Sequence, residues 1–346
     1  MGFFDFLTDK IAIDLGTSNT LITHKGKIAV NNPSIITINQ ITGKIIAVGK
    51  EAGMMRGKIN KNIKTIYPFK DGVISNFDAS EKMLKAFIKK LSSINASVFT
   101  TSYNMIISIP CGSTEVEMRA VKESAKRLNA KNVFLIHEPI AAAIGGGIDV
   151  LEPKGNMIVD IGGGTTEVAI ISLGRIISGQ SVKIAGNTFN EDIVQYIRES
   201  RNLHIGEYMA EKIKIQIGAA VDRLEFPPEN MAVEGRDLLT GKPKQITLSY
   251  KEIEKSLDKS IAQIENAILE TLSEIPPELS ADIYNSGIYL TGGGSMLRGL
   301  DERLSKATDL PVHLGDKPLK TVVKGSEIVL KNLDKFSSVL VEKMRR

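Results

Sequence analysis

The chain has 346 residues, 42% hydrophobic and 24% charged, the size and balance of a globular protein with room for two cores. One cysteine, Cys111, excludes an internal disulfide, the four histidines (His24, His137, His204, His313) show no metal-ligand spacing, and no apolar run reaches the roughly 18–20 residues that cross a bilayer. The net charge is +4, yet residues 317–346 hold eight basic and three acidic side chains, so a near-neutral body carries a basic end; this argues against a nucleic-acid-binding face and leaves an anionic membrane surface or an acidic partner open.

The chain opens "MGFFDFLTDK", without the basic start of a secretory signal or the Ser/Thr that myristoylation wants at position 6, so a cytoplasmic protein is expected. Strands are predicted at "KIAIDLG", "TLITHKG", "KIAV" and "SIITINQITGKIIAVG". A helix follows at 78–94, with Asp78 or Ser80 as cap and Met83, Leu84, Phe87, Ile88 and Leu91 on one face. Next come a strand "YNMIISIP", a helix from Thr114 to about Leu128, a strand "NVFLIHEP" and the segment "IAAAIGGGI". Beyond the glycine-rich stretch "NMIVDIGGGTTEVAIISLG", helices are expected near 188–202 and 206–221, a strand pair in "DLLTGKPKQITLS", and a long amphipathic helix at 250–274. A strand "SGIYLTGGG", a helix from Ser295 to about Thr308, a strand "PVHLG" and helical residues close the chain. Mixed sheets flanked by helices are the expected class.

Two segments repeat. "IDLGTSNTLI" (13–22) and "VDIGGGTTEV" (159–168) share Asp-apolar-Gly-x-x-x-Thr-x-apolar, with Asp14, Gly16 and Thr20 answering Asp160, Gly162 and Thr166 at an offset of 146 residues. Two copies at that separation point to two related domains facing each other. Each copy suits a hairpin whose turn wraps an anion: glycines permit positive φ and close approach, successive N–H groups make a nest, and Thr and Ser hydroxyls add donors. Asp14 and Asp160 suit the waters of a Mg²⁺ ion rather than phosphate itself. One such hairpin is about evenly a mere turn, but two aligned copies favour a nucleotide clasped between domains. A third cluster, Gly292-Gly293-Gly294, fits the nucleoside end of the same cleft.

Glu138 precedes Pro139, which is favoured at a helix start. Read alone, Glu138 is a capping carboxylate; the functional reading is a group orienting water for in-line attack on a γ-phosphate, with Thr165 holding the same water. No Walker-type loop is present, so this is not a P-loop ATPase. Glu211 and Lys214 share a helix face, either as a surface ion pair or as a grip on ribose hydroxyls.

These residues resemble the actin, Hsp70 and sugar-kinase superfamily, most closely the MreB family of bacterial actin homologues. "IDLGTSNTLI", "VDIGGGTTEVAI", "EPIAAAIG" and "LTGGGSMLRGL" carry the resemblance, with "EKIKIQIG", "RDLLTGKPK", "PFKDGVI" and "IPPELSADI", over essentially the whole chain. It implies an α/β, actin-like (ribonuclease H-like, duplicated) two-domain fold with ATP or ADP and Mg²⁺ in the interdomain cleft. Domain I would be 1–142 and 315–346, with a small subdomain at about 31–74; domain II would be 143–314, with one at about 182–248. By position, Thr17, Ser18 and Asn19 contact phosphate from one side and Gly162, Gly163 and Gly164 from the other. Asp14 and Asp160 arrange the metal through water, Glu138 and Thr165 position the attacking water, and Glu211, Lys212, Ile213, Lys214, Gly292, Gly293, Gly294, Ser295 and Met296 hold the nucleoside. His137 stands where relatives often carry a second acidic residue.

The resemblance also implies ATP-dependent filaments of paired antiparallel protofilaments, on the inner membrane face, controlling cell shape. Local features supporting attachment are Phe3, Phe4, Phe6 and Leu7, and Val98 and Phe99, which equally suit packing onto the core. The segment 331–346 would add electrostatic attraction. Richness in Ile, Lys and Asn with no Trp points to an AT-rich genome, where wall-less cells with paralogous filament partners are one setting. The rivals are a sugar or small-molecule kinase of the superfamily, which needs an acceptor pocket, an Hsp70-like chaperone, for whose peptide-binding domain no length is left, and a cell-division or pilus-associated actin relative, against which only the motif match argues.

Overall fold

The computed structural model describes residues 8–58, 60–94 and 102–341. Phe3, Phe4, Phe6, Leu7, Val98 and Phe99 lie outside the described residues.

The first half opens with an antiparallel meander, β1 (Thr8–Leu15), β2 (Asn19–His24) and β3 (Lys27–Pro33). A small three-stranded sheet of β4 (Ile36–Asn39), β5 (Ile45–Val48) and β6 (Ile63–Ile66) carries helix α1 (Lys50–Met54), and hairpin β7 (Phe69–Lys70)–β8 (Val73–Ile74) follows. Helix α2 (Phe77–Ile94) buries the predicted stripe, Met83, Leu84, Phe87, Ile88 and Leu91. Its cap is neither Asp78 nor Ser80. The helix starts earlier, and Asn76 Oδ1 accepts from the Ala79 amide at 2.9 Å. Strand β9 (Ser102–Ile109) runs parallel to β1, helix α3 (Glu115–Lys126) begins at a reciprocal Thr114–Glu117 cap, and β10 (Ala130–His137) runs parallel to β9. The sheet order is β10-β9-β1-β2-β3.

Helix α4 (Glu138–Gly145) leads into the second half. Strands β11 (Asn156–Ile161), β12 (Thr166–Ser172) and β13 (Arg175–Val182) form its meander. Helix α5 (Gly186–Arg201), β14 (Leu203–His204), α6 (Glu207–Ile217), β15 (Met231–Asp237), β16 (Pro243–Leu248), α7 (Tyr250–Ser273) and α8 (Pro277–Ser286) follow. Then come β17 (Ile288–Thr291), parallel to β11, α9 (Leu300–Thr308) and β18 (Val312–Leu314). The order β13-β12-β11-β17-β18 matches the first sheet strand for strand. The ten-residue repeat is therefore the surviving trace of a duplicated sheet.

Two predicted boundaries move. The strand pair placed in 237–249 begins at Met231, and Leu238–Lys242 is its turn, with Asp237 Oδ1 accepting from the Leu239 and Thr240 amides. The helix expected from Ser295 starts at Leu300; only one 3-10 turn, Gly294–Met296, follows the glycines, and Gly299 at φ 72° separates the two. Strand β13 and helix α8 had no counterpart among the predicted elements.

Each half has its own apolar core, and a third lies between the sheets. That middle core is made by α4, by α10 (Thr321–Lys331) and by the inward faces of both sheets, including Ala12, Ile106, Ile158 and Ala169. The two helices cross closely because neither has a side chain at the crossing. A Cβ on Gly325 would lie 1.8 Å from the Ala141 carbonyl oxygen, and one on Gly145 2.0 Å from that of Thr321. The end of the chain is not a free basic arm as far as it is described. Phe336 and Val339 are buried in the middle core, and the Val341 amide donates to the Leu135 carbonyl at 2.9 Å.

Candidate functional site

The turns β1–β2 and β11–β12 meet across a cleft of about 650 Å³. Its walls include Asp14, Gly16, Thr17, Ser18 and Asn19 from one turn and Asp160, Gly162, Gly163, Gly164 and Thr165 from the other. Glu138 at the start of α4, Glu211 and Lys214 on α6, and Gly292, Gly293, Gly294 and Met296 after β17 complete most of the predicted set.

The three consecutive glycines line the cleft, but not by using positive φ. None of Gly162, Gly163 and Gly164 has positive φ. Gly163 and Gly164 are small because the opposite loop occupies the space: a Cβ on Gly163 would lie 2.1 Å from Ser18 Oγ, and one on Gly164 2.5 Å from Thr17 Oγ1, whereas one on Gly162 would meet its own turn, 3.1 Å from the Thr165 carbonyl oxygen. Gly292 does use its freedom, at φ 85°, to pass Asp160 Oδ1 and the Ile161 carbonyl. The two loops are also tied, since the Ser18 hydroxyl donates to Asn187 Oδ1 at 3.0 Å. Asn187 stands at the start of α5, whose Gly186 and Asn187 amides donate to the Gly162 and Gly163 carbonyls at 3.1 and 2.8 Å.

The threonine shared by both copies is a brace rather than a ligand. Thr20 and Thr166 are fully buried. Ser34 spends its proton on the Gly16 carbonyl (2.6 Å), so Thr20 Oγ1 donates to Ser34 Oγ at 2.9 Å. Thr166 Oγ1 donates to the Ile184 carbonyl at 2.6 Å. Both hydroxyls point away from the cleft and hold the loops to the next stretch of chain.

Carboxylates gather beneath the loops. Burial pushes Asp160 up to about 8, with Asp14 and then Glu167 adding to it. Burial raises Asp14 to about 6 against the hydrogen bond from Ser108 (3.1 Å). Glu138 is held well above the usual carboxylate range by burial, then by Glu167, Asp14 and Asp160. It is the first residue of α4, with Pro139 second and His137 in the capping position, so the predicted cap role fails. Among the described residues no three His, Cys, Asp or Glu side chains converge to ligate a metal directly.

At the opposite end Lys214 Nζ donates to Glu211 Oε2 and to the Gly186 carbonyl, each at 2.8 Å, and Asn190 Nδ2 donates to the same Glu211 oxygen at 2.7 Å. Lys212 and Ile213 do not reach the cleft: Lys212 is exposed and Ile213 is buried in the core of the second half. Ser295 is buried too, and its hydroxyl donates to the Gly292 carbonyl at 2.6 Å, bracing the turn. Asn187, Ile215, Arg298 and Leu319 line the cleft without having been foreseen. For Ile215 the signal was available, since it follows Glu211 by one helical turn.

Two sheets of one strand order, a packed core between them and glycine loops meeting over a cleft define an actin-like two-domain fold. The family model "MreB/Mbl protein" matches residues 8–338. The cell shape-determining protein Mbl of Bacillus subtilis (strain 168) is 44% identical over 330 residues, 94% of this chain and 97% of the relative. The cell shape-determining protein MreB of Escherichia coli (strain K12) is 43% identical over 337 residues, 96% of each. MreB5 of Spiroplasma citri, solved bound to ADP, superposes with a TM-score of 0.89 at 36% identity over 95% of this chain and 98% of that one. The same protein bound to AMPPNP gives 0.90 at 36% identity over 95% and 97%. The chain belongs to the MreB/Mbl family.

Proposed function

We propose that this protein is a cytoskeletal ATPase that polymerises into membrane-associated, actin-like filaments determining cell shape. The carrying observation is the meeting of two glycine loops over the recessed Glu138 and Thr165. Thr17, Ser18, Asn19 and Gly162 to Gly164 bind the phosphates through backbone amides and short hydroxyls. Glu211, Lys214, Gly292 to Gly294 and Met296 hold the nucleoside. Asp14 and Asp160 suit a Mg²⁺ ion held through its waters: both carboxylates line the cleft, Asp160 buried and Asp14 half-buried, and both have raised proton affinity. When bound, the ion would neutralise phosphate charge. Glu138 and Thr165 orient the attacking water, and hydrolysis is slow.

The chain divides for this purpose into residues 1–142 with 315–346 and residues 143–314, with small subdomains at about 31–74 and 182–248, and closes about its middle core. Closure on ATP favours the shape that stacks into antiparallel paired protofilaments, with paralogous filament proteins as further partners. The filaments lie on the inner face of the cell membrane in the cytoplasm. A kinase reading has less support, since the family's curated relatives are cell shape-determining proteins. The test is electron microscopy and phosphate release with purified protein and Mg-ATP. Glu138→Ala is expected to polymerise with ATP and release phosphate far more slowly. Unchanged release would remove Glu138 from its role, and absence of polymer with ATP would refute the filament reading.

A further inference from the structure

The duplicated hairpins differ at one buried position by a charge. In the first, Asp14 pairs across the strands with Leu21; in the second, Asp160 pairs with Glu167. Leu21 shows that the frame accepts an apolar side chain there. A carboxylate at 1% exposure costs desolvation that folding does not require. Glu167 is not among the residues that line the cleft, although its charge acts on Glu138 and Asp160, which do.

Its two oxygens face two partners. Oε1 accepts from Ser181 Oγ at 2.5 Å, on the neighbouring strand β13 of the same half. Oε2 accepts from the Cys111 amide at 2.8 Å, in the turn after β9 of the other half. That turn touches the surroundings of both proposed water-positioning residues. His137 Nδ1, one residue before Glu138, donates to the Pro110 carbonyl at 3.3 Å. A Cβ on Gly72 would sit 2.9 Å from Pro110 Cγ on one side and 3.2 Å from Thr165 Cγ2 on the other. Thr165, Gly72, Pro110 and His137 thus follow one another in a line of neighbours, and the Glu167–Cys111 bond joins the Thr165 and Pro110 segments a second time.

We infer that Glu167 is a positioning residue for hydrolysis: by tying β12 to the Pro110–Cys111 turn across the two halves, it fixes Thr165 relative to Glu138 when the cleft closes. The inference rests on the proposed ATPase reading of this site. Loss of the tie leaves both phosphate loops intact, so nucleotide still binds; the attacking water is no longer held between two groups in register.

The experiment is steady-state hydrolysis of Mg-ATP by the purified full chain, with nucleotide affinity and thermal unfolding measured on the same samples. Glu167→Leu, the residue of the sister hairpin, is expected to lower kcat at least tenfold while KM for ATP stays within about threefold. Glu167→Gln keeps an acceptor for the Cys111 amide and is expected to recover kcat to within about threefold of the unmodified chain. Ser181→Ala removes only the bond within the second half and is expected to leave kcat within about threefold. Wild-type kcat in Glu167→Leu, or a loss in Ser181→Ala equal to that in Glu167→Leu, overturns the tie as the cause. Should Glu167→Leu fail to fold, a Glu167→Gln protein with normal affinity and kcat as low as that of Glu138→Ala overturns it as well. If the unmodified chain binds ATP without hydrolysing it, the reading of the site falls and this inference with it.

Discussion

Gly163→Ala isolates the contact between the phosphate loops. The backbone at Gly163 suits any residue, so the effect comes from the added methyl alone. That methyl would sit 2.1 Å from Ser18 Oγ and 2.6 Å from Ser18 Cβ. The hydroxyl can rotate aside, breaking its bond to Asn187, but the Cβ is fixed to the backbone. Carbon–carbon contact is favourable only from about 3.5 Å, so the loops must part by about 1 Å. Overpacking of this kind costs about 1–3 kcal/mol. Because the two sides belong to different halves, slight opening relieves the strain, and the cost falls on the closed, nucleotide-holding state. ATP affinity should therefore drop about 5- to 150-fold, with little change in the thermal stability of nucleotide-free protein. Fluorescent-nucleotide titration and thermal unfolding measure the two. In a Ser18→Gly background the obstructing Cβ is gone, and adding Gly163→Ala should cost much less. An equal cost in both backgrounds, or lowered stability with unchanged affinity, would refute the loop-contact argument.

Gly325→Ala should act on the fold instead, because its Cβ would meet backbone (Ala141 oxygen at 1.8 Å, Gly145 nitrogen at 2.8 Å); a loss of about 1–3 kcal/mol or more, read as a lower Tm by calorimetry, is expected. Lys214→Met removes the charged donor shared by the Gly186 carbonyl and Glu211, bonds to a charged group worth about 1.5–3 kcal/mol each to the nucleotide-free fold, so the apo Tm should fall in calorimetry, together with weaker ATP binding in the nucleotide titration. The raised Asp160 and Asp14 bind protons more tightly folded than unfolded, so the stability they contribute is complete below about pH 4 and is lost as pH rises through about 6 and 8; nucleotide- and metal-free protein should show Tm falling across that range, and Asp160→Asn should flatten the upper part. Removing residues 342–346 takes away Lys343, Arg345 and Arg346 without touching the packed Phe336 and Val339; pelleting with anionic liposomes at low salt should decrease, and equal pelleting would discard the electrostatic anchor.

The cleft is legible in the sequence because both copies share its marker: an Asp, a Gly and a Thr at fixed spacing. What those residues do is less legible. A glycine's need for positive φ and its need to have no side chain leave the same letter in the sequence, and only the facing loop, Thr17 and Ser18, separates them. A hydroxyl in a glycine-rich turn suits a donor to an anion, yet Thr20 and Thr166 donate away from the cleft, to Ser34 and to the Ile184 carbonyl. A contiguous run such as Glu211–Lys214 does not share one environment on a helix: periodicity puts Glu211, Lys214 and Ile215 on the cleft face and Lys212 and Ile213 elsewhere. Glu167 escaped notice for the opposite reason, since matching the copies discards positions where they differ. Helix α8 had a legible start in Pro276-Pro277, where proline suits the first turn.

The placement of the glycines also indicates how the parts can move. Gly145 and Gly325 lock α4 to α10 by backbone contact, which leaves little room for sliding at the middle core. Gly163 and Gly164 face chiefly the short side chains of Ser18 and Thr17, with the Ser18 nitrogen 3.2 Å from a Cβ on Gly163 as the one backbone atom in reach, and can part from them at modest cost. Motion between the halves should therefore turn about the helix crossing and be widest at the loops. Glu138 opens α4, at the end of the fixed crossing, whereas Thr165 rides on the second hairpin. Opening then changes the separation of these two residues more than it changes either one's surroundings within its own half, so a catalytic water held between them would exist only in the closed form.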